Sequence, residues 1–370
     1  MPSAGIAHTF PTAYQDILER VAAVDPIAYG RTRNYIDGAV TYLSPYISRG
    51  VISTKFVFEQ LLERGFHPSP IEKMIQELAW RDYWQQVWAV KGNAIDTDLK
   101  HPQPGVLHQQ LPKALLEART GIEAIDAAIL QWYDTGYLHN HLRMYVAAIA
   151  CNIGGSHWNI PAKWMYYHLL DGDWASNALS WQWVAGSNSG KKYYANQENI
   201  NRFCHTQQSE TFLGVSYEVL PDMETPQVLK ETEMPELHTP LPERTRIRLD
   251  EGLPVLLYNY YNLDPLWKEH IEANRILLLE PSHFKKFPVS QKCIDFVMAL
   301  AANLKNVQVY VGEFSELLAE HAVGTVYYKE HPTNRHYQGI EEPRDWMFDV
   351  QGYFSSFFGF WKKCKKQLKR

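Results

Sequence analysis

Residues 171 to 186, DGDWASNALSWQWVAG, put two aspartates, an asparagine and three tryptophans on a stretch that reads as a helix. At 3.6 residues per turn, Asp173, Asn177 and Trp181 fall at i, i+4 and i+8, so a carboxylate, an amide and an indole share one stripe. That stripe is too polar for a core and too aromatic for a solvated face; it suits a flat polar ligand on which an indole stacks or to which it passes an electron. In QELAWRDYWQQVW, Glu77, Trp80, Arg81, Trp84 and Trp88 lie within about a third of a helix circumference. Burying a carboxylate and a guanidinium among indoles is costly unless they are paired or bind something polar. The plain alternative is an internal Glu77–Arg81 pair at i, i+4. In YLHNHLRMYV, Asn140, Arg143 and Met144 share a third such face. His139 and His141 stand at i, i+2 and point apart, with no further ligand at a suitable spacing, so no metal centre is expected. TYLSPYISRG places Ser44 and Pro45 as the cap and first turn of a helix, whose free N–H groups, with Thr41 beside them, suit phosphate. AGSNSGKK fails the phosphate-loop pattern and follows a helix rather than a strand.

The elements that must hold these groups are legible from their punctuation. Helices are expected from Ser53 to Gly65, Ser69 to Gly92 and through GIEAIDAAILQWYDTG, YLHNHLRMYVAAIACNIGG and IPAKWMYYHLLDG. From 220 to 252, six prolines in or beside an acidic, aromatic-poor stretch suggest a linker or a surface excursion. Beyond it LPVLLYNYY, RILLLEP, NVQVYVGE and GTVYYKE read as strands, with the helix SQKCIDFVMALAANL among them, which predicts a small α/β sheet with parallel members. The fold class is therefore multi-domain, α followed by α/β, divided as 1–219, 220–252 and 253–370. Nine of twelve tryptophans fall between Trp80 and Trp183, and most of them are expected to be core. A net charge of −5 argues against binding nucleic acid by bulk charge and leaves room for a local basic patch. Four scattered cysteines suggest neither a disulfide framework nor a zinc knuckle. With no leader or apolar span in the sequence, a cytoplasmic location, no membrane association and a monomer are the expectations. Three helices converging with Arg, Asp, Asn and Trp describe a cavity for a large, flat, phosphorylated ligand, and a flavin and a nucleotide fit it equally.

Read together, YGRTRNYIDGAVTYLSPYISRGVIS, ELAWRDYW, TGIEAIDAAILQWYDTGYLHNHLRM and DGDWASNALSWQWVAG resemble, in order, the FAD-binding helical domain of the DNA photolyase and cryptochrome family over about residues 15 to 215. The resemblance implies FAD contacts by Tyr29, Thr41, Leu43, Ser44, Arg81, Asn140, Arg143, Asp171, Asp173 and Asn177, with Arg143 paired to Asp171 and Asn177 facing the flavin. It implies electron transfer through Trp181 and then Trp158. It also implies a pocket of Glu77, Trp80, Asn140, Met144 and Trp183 for a flipped-out cyclobutane pyrimidine dimer in damaged DNA, single-stranded or duplex, and a phosphate contact at His141, where many repair members carry arginine.

Two departures stand out. The Rossmann-like α/β segment, which resembles the family's opening domain, comes last, as if the two domains were circularly permuted; this leaves an antenna chromophore open. The segment DLKHPQPGVLHQQ lacks the third tryptophan of the family's chain. The function implied is blue-light-driven dimer repair, and the alternative is a cryptochrome-type photoreceptor acting through a protein partner.

Overall fold

The computed structural model describes residues 9–369. Its first half is helical: α1 (Tyr14–Ala22), α2 (Pro26–Thr32), α3 (Ser44–Ser48), α4 (Thr54–Glu63), α5 (Glu72–Lys91), α6 (Lys113–Leu116), α7 (Glu123–Thr135), α8 (Asn140–Ala148), α9 (Asn159–His168), α10 (Trp174–Ala185) and α11 (Gln197–Cys204). Side chains start several of these where the sequence indicates. Asp25, Ser53, Asp173 and Asn196 each accept a hydrogen bond from the first turn of the helix that follows, satisfying N–H groups that the helix leaves free. Gly136 and Gly186, at φ 74° and 90°, end α7 and α10 in the left-handed conformation that suits a residue without Cβ. Two starts differ from expectation. The helix read from Ser69 begins at Glu72 after a turn, and α3 begins at Ser44 itself, with Leu43 as its cap. The run after α8 continues as a π-turn, Ile149–Ile153.

The second half is a parallel sheet of β3 (Val255–Tyr258), β4 (Asn274–Leu279), β5 (Gln308–Val311), β6 (Val326–Lys329) and β7 (Ile340–Glu342), with α12 (Pro281–Lys286), α13 (Gln291–Ala301) and α14 (Phe314–Glu320) between strands. The spatial order is β5-β4-β3-β6-β7, so the chain winds one way from β3 and then crosses to its other side. Alternation along the strands divides the core. Leu256, Tyr258, Leu277 and Leu279 join the core of the helical half, while Val255, Leu257, Ile276 and Leu278 pack with Phe314 and Leu317 of α14.

The segment expected as a linker is docked rather than free. Thr232–Glu233 (β2) pairs antiparallel with Leu111–Pro112 (β1), Leu220 and Leu229 are buried, and the Arg248 and Asp250 amides donate to the side chains of Gln308 and Asn274 in the strand region. After β7 the chain returns to the helical half. Asp82 accepts from the Met347 amide, Tyr83 donates to the Phe354 carbonyl, and α15 (Phe357–Cys364) packs on α5. Residues 344–364 thus belong spatially with the helices, although the sequence groups them with the α/β segment.

Candidate functional site

The polar stripe starts at a helix cap, not inside a helix. Asp173 caps α10 through the Ser176 amide at 2.7 Å and also accepts from the Gln85 side chain of α5. Asn177 donates its amide to the Ala162 carbonyl at 2.7 Å, and Trp181 is 2 % exposed. Asp171 lies in the turn before the cap, where one Arg143 nitrogen meets both of its oxygens at 2.9 Å. Burial acts to raise the Asp171 pKa, but Arg143, the Ser44 hydroxyl and Arg81 outweigh it and hold the group below the usual carboxylate value. Ser44 is therefore bonded to Asp171, and α3 is a single short turn, so the phosphate site expected at this helix start rests on Thr41 and backbone alone.

Arg81 does not pair with Glu77. It donates to the Ser48 hydroxyl at 2.6 Å, and Ser48 in turn donates to the Asp171 carbonyl at 2.7 Å. Burial, with Arg143 and Arg49 nearby, draws the Arg81 pKa down against the pull of Asp173 and Asp171. Glu77 turns the other way, to Lys73 at 2.9 Å and Arg33 at 3.4 Å. Arg49, which the sequence reading passed over, is fully buried: it donates to the Gly172 carbonyl, lies 3.6 Å over the Tyr260 ring, and keeps Nε and Nη1 without a hydrogen-bond partner. Arg49, Arg81 and Arg143 thus surround a turn that carries two carboxylates, Asp171 and Asp173. The buried Arg49, with two donors unpartnered, is costly unless an anion joins it, so this donor set fits a phosphorylated, anionic cofactor such as FAD. Gln85 and Ser48 were also missed. Gln85 stands four residues after Arg81 and was readable by spacing, whereas Ser48 gains its role only through tertiary approach.

Around this turn the other expected residues fall at different depths. Tyr29 and Thr41 are half-buried and Leu43 is buried. Asn140 opens α8 and is exposed, while Met144, one turn on, is half-buried. Trp80 is half-buried, with one face covered by Phe357 at 3.8 Å and 10°. Trp183 is 40 % exposed, its ring 5.9 Å from Tyr193. Among the described residues no ring contact joins Trp80 to Trp183, or Trp181 to Trp158. Trp158 is buried, its indole N–H on the Asp98 carboxylate at 2.8 Å.

His141, expected to contact phosphate, is half-buried and already partnered within the chain. Its ring is bonded to the Asn34 carbonyl at 2.9 Å and packed 4.5 Å from Phe203, and burial lowers its pKa. A polar cleft opens where β3 and β6 part, lined by Asn259, Asn262, Lys329, His331 and, from α5, Arg81 and Asp82. The carboxyl ends of strands at such a switch point are where open α/β sheets hold ligands. Among the described residues no helix is long and apolar enough to cross a membrane.

Residues 74–213 match the family described as the FAD binding domain of DNA photolyase. A deoxyribodipyrimidine photo-lyase of Vibrio cholerae is 29 % identical over 165 residues, 41 % of this chain and 34 % of its own length. A cryptochrome DASH of Danio rerio is 33 % identical over 168 residues, 43 % of this chain and 32 % of its own. The chain thus spans about a third of these relatives. A cryptochrome of Synechocystis, a solved structure, aligns over 53 % of this chain and 44 % of its own, with 24 % identity and a TM-score of 0.46. Over residues 74–213, therefore, the helical half of this chain is similar to the FAD-binding domain of DNA photolyases and to the matching third of photolyase and cryptochrome DASH relatives.

Proposed function

We propose that the protein repairs cyclobutane pyrimidine dimers in DNA under blue light. The observation that carries this reading is the openness of Trp183, an indole fixed on a capped helix yet 40 % exposed, in a domain whose other tryptophans are mostly buried. Bound FAD supplies the light absorption and the single electron that opens the dimer and is then returned. The residues do the rest. Trp183 and the half-buried Trp80 stack on the flipped bases, each contact worth roughly 1–3 kcal/mol against the few kcal/mol that flipping costs. Glu77, fixed by Lys73 and Arg33, accepts from a base N–H; the exposed Asn140 amide meets a base carbonyl, and Met144 fills the apolar side. Trp181 and Trp158 carry electrons inward, and the Asp98 carboxylate favours the cation left when the Trp158 indole gives one up.

Domain order is part of the same reading. The strand order around β3 supports a photolyase-type α/β domain moved behind the helical one. A chain with residues 253–370 placed before 9–252 should fold and take up FAD; failure of that rearranged chain to fold would refute the permutation.

The function is tested by mixing reduced, flavin-loaded protein with ultraviolet-irradiated oligothymidine under blue light. Recovery of thymine absorbance is expected, with dimer affinity about tenfold weaker in Trp183→Ala. No recovery from flavin-loaded protein on single-stranded or duplex substrate would overturn repair and leave the photoreceptor.

A further inference from the structure

The last helix is amphipathic in an unusual way. Phe357, Phe360, Trp361 and Cys364, at spacings of 0, 3, 4 and 7, form its buried face. Its outer face carries Phe358, 70 % exposed, with Lys362 one turn on and Lys363 and Lys366 beside it. Among the described residues these three lysines join no ion pair, whereas Lys365 on the same turn is matched by Glu72 at 2.6 Å. Among the described residues the Phe358 ring meets one other, that of Phe357 at 5.6 Å, so packing does not account for an aromatic here.

The helix reaches both the half-buried Trp80 and the neighbourhood of the exposed Trp183. Phe357 lies flat on Trp80, with Trp361 parallel behind it at 6.2 Å and 10°. At the start of α15, Lys100 donates to the Ser355 carbonyl at 2.8 Å and to the Asn188 carbonyl at 3.1 Å, which ties the helix to the loop that follows Trp183. We propose that the outer face of α15 is a second nucleic-acid contact, continuous with the Trp80 platform, on which Phe358 stacks against a base while Lys362, Lys363 and Lys366 meet backbone phosphates. The partner's identity rests on the nucleic-acid reading above. A polyanion with flat faces answers both halves of the surface, since bases stack on an aromatic and phosphates release their counterions to lysine. One phenylalanine offers too little apolar area to hold a lipid surface alone. In a chain of net charge −5, such a patch also confines the strand to one side of the molecule.

The test is dark binding of undamaged oligothymidine by the full chain, followed by anisotropy across a salt series. Changing Lys362, Lys363 and Lys366 together to Ala should lower the slope of log affinity against log salt by about 2, from about 0.7 per phosphate on a single strand. Phe358→Ala should weaken binding at least about fivefold with the slope unchanged, and Phe358→Trp should restore it. Wild-type affinity and slope in both variants, with wild-type melting, would overturn the proposal. So would no oligothymidine binding by the wild type, or lysine-dependent binding to phosphatidylserine vesicles with oligothymidine binding untouched. Intact dark binding alongside failed repair would sink the repair reading and leave this surface standing.

Discussion

Asp171 is the residue on which the site's charges balance. It is buried against Arg143 and within reach of Arg81, so removing its carboxylate leaves two half-buried guanidinium groups short of an anion. Asp171→Ala should cost about 3–5 kcal/mol in denaturant unfolding, and Asp171→Asn, which keeps the shape, should recover only part of it. A loss of under about 1 kcal/mol would mean that the turn is solvated. Asp173, Asn177 and Arg81 were legible because helical spacing alone puts them on one side of their elements. Arg49 was not, because it gains its place from Gly172 and Tyr260, which lie far along the chain. The surroundings of His141 were hidden for the same reason: the Phe203 ring and Asn34 carbonyl beside it are brought there by tertiary packing. Glu77 likewise bypasses its i+4 neighbour Arg81, since Lys73 at i−4 and Arg33 from α2 compete better for it.

At the scale of elements, α15 backs the Trp80 platform. Phe357→Ala should destabilise the fold by about 3–5 kcal/mol through the cavity it leaves, and it frees the indole to move. Tryptophan emission that is red-shifted, together with a lower melting temperature, is the expected result; unchanged emission would mean that Trp80 is held by Tyr83 and Trp84 alone. The long helices were readable because apolar periodicity, capping side chains and terminal glycines agree on their ends. β7 was not, because three residues reading Ile-Glu-Glu carry no alternation to distinguish a strand. The docking of the 220–252 strap was equally hidden. Its prolines mark a chain that makes few ladders of its own, and its hydrogen bonds go to partners on β1 and β5 that only the fold supplies.

For the whole molecule, the joint between the helical half and the sheet is lined with groups that resist protonation. Burial lowers the pKa of His168 and of His283 to about 4 and that of His331 well below its usual value. Below about pH 6.5 the unfolded chain takes up protons on these imidazoles that the folded chain refuses, so stability falls as pH drops toward 4. His168 and His283 each account for on the order of 3 kcal/mol by pH 4, and Asp264, raised to about 6 by burial, offsets one of them in part. Urea midpoints from pH 7.5 to 4.5 should decline steadily below 6.5, and a flat profile would show that the joint admits water. A shared core across the two halves was not predictable from strand and helix patterns, which specify faces but not which faces meet. The central claim is that three arginines and two aspartates around Gly172 form the seat of FAD. It is tested most directly by measuring flavin per chain in purified protein, from its visible spectrum and after heat release. The account predicts one FAD per folded chain, lost in Asp171→Ala and retained in Phe358→Ala. A folded, colourless protein that takes up no FAD on reconstitution would contradict it.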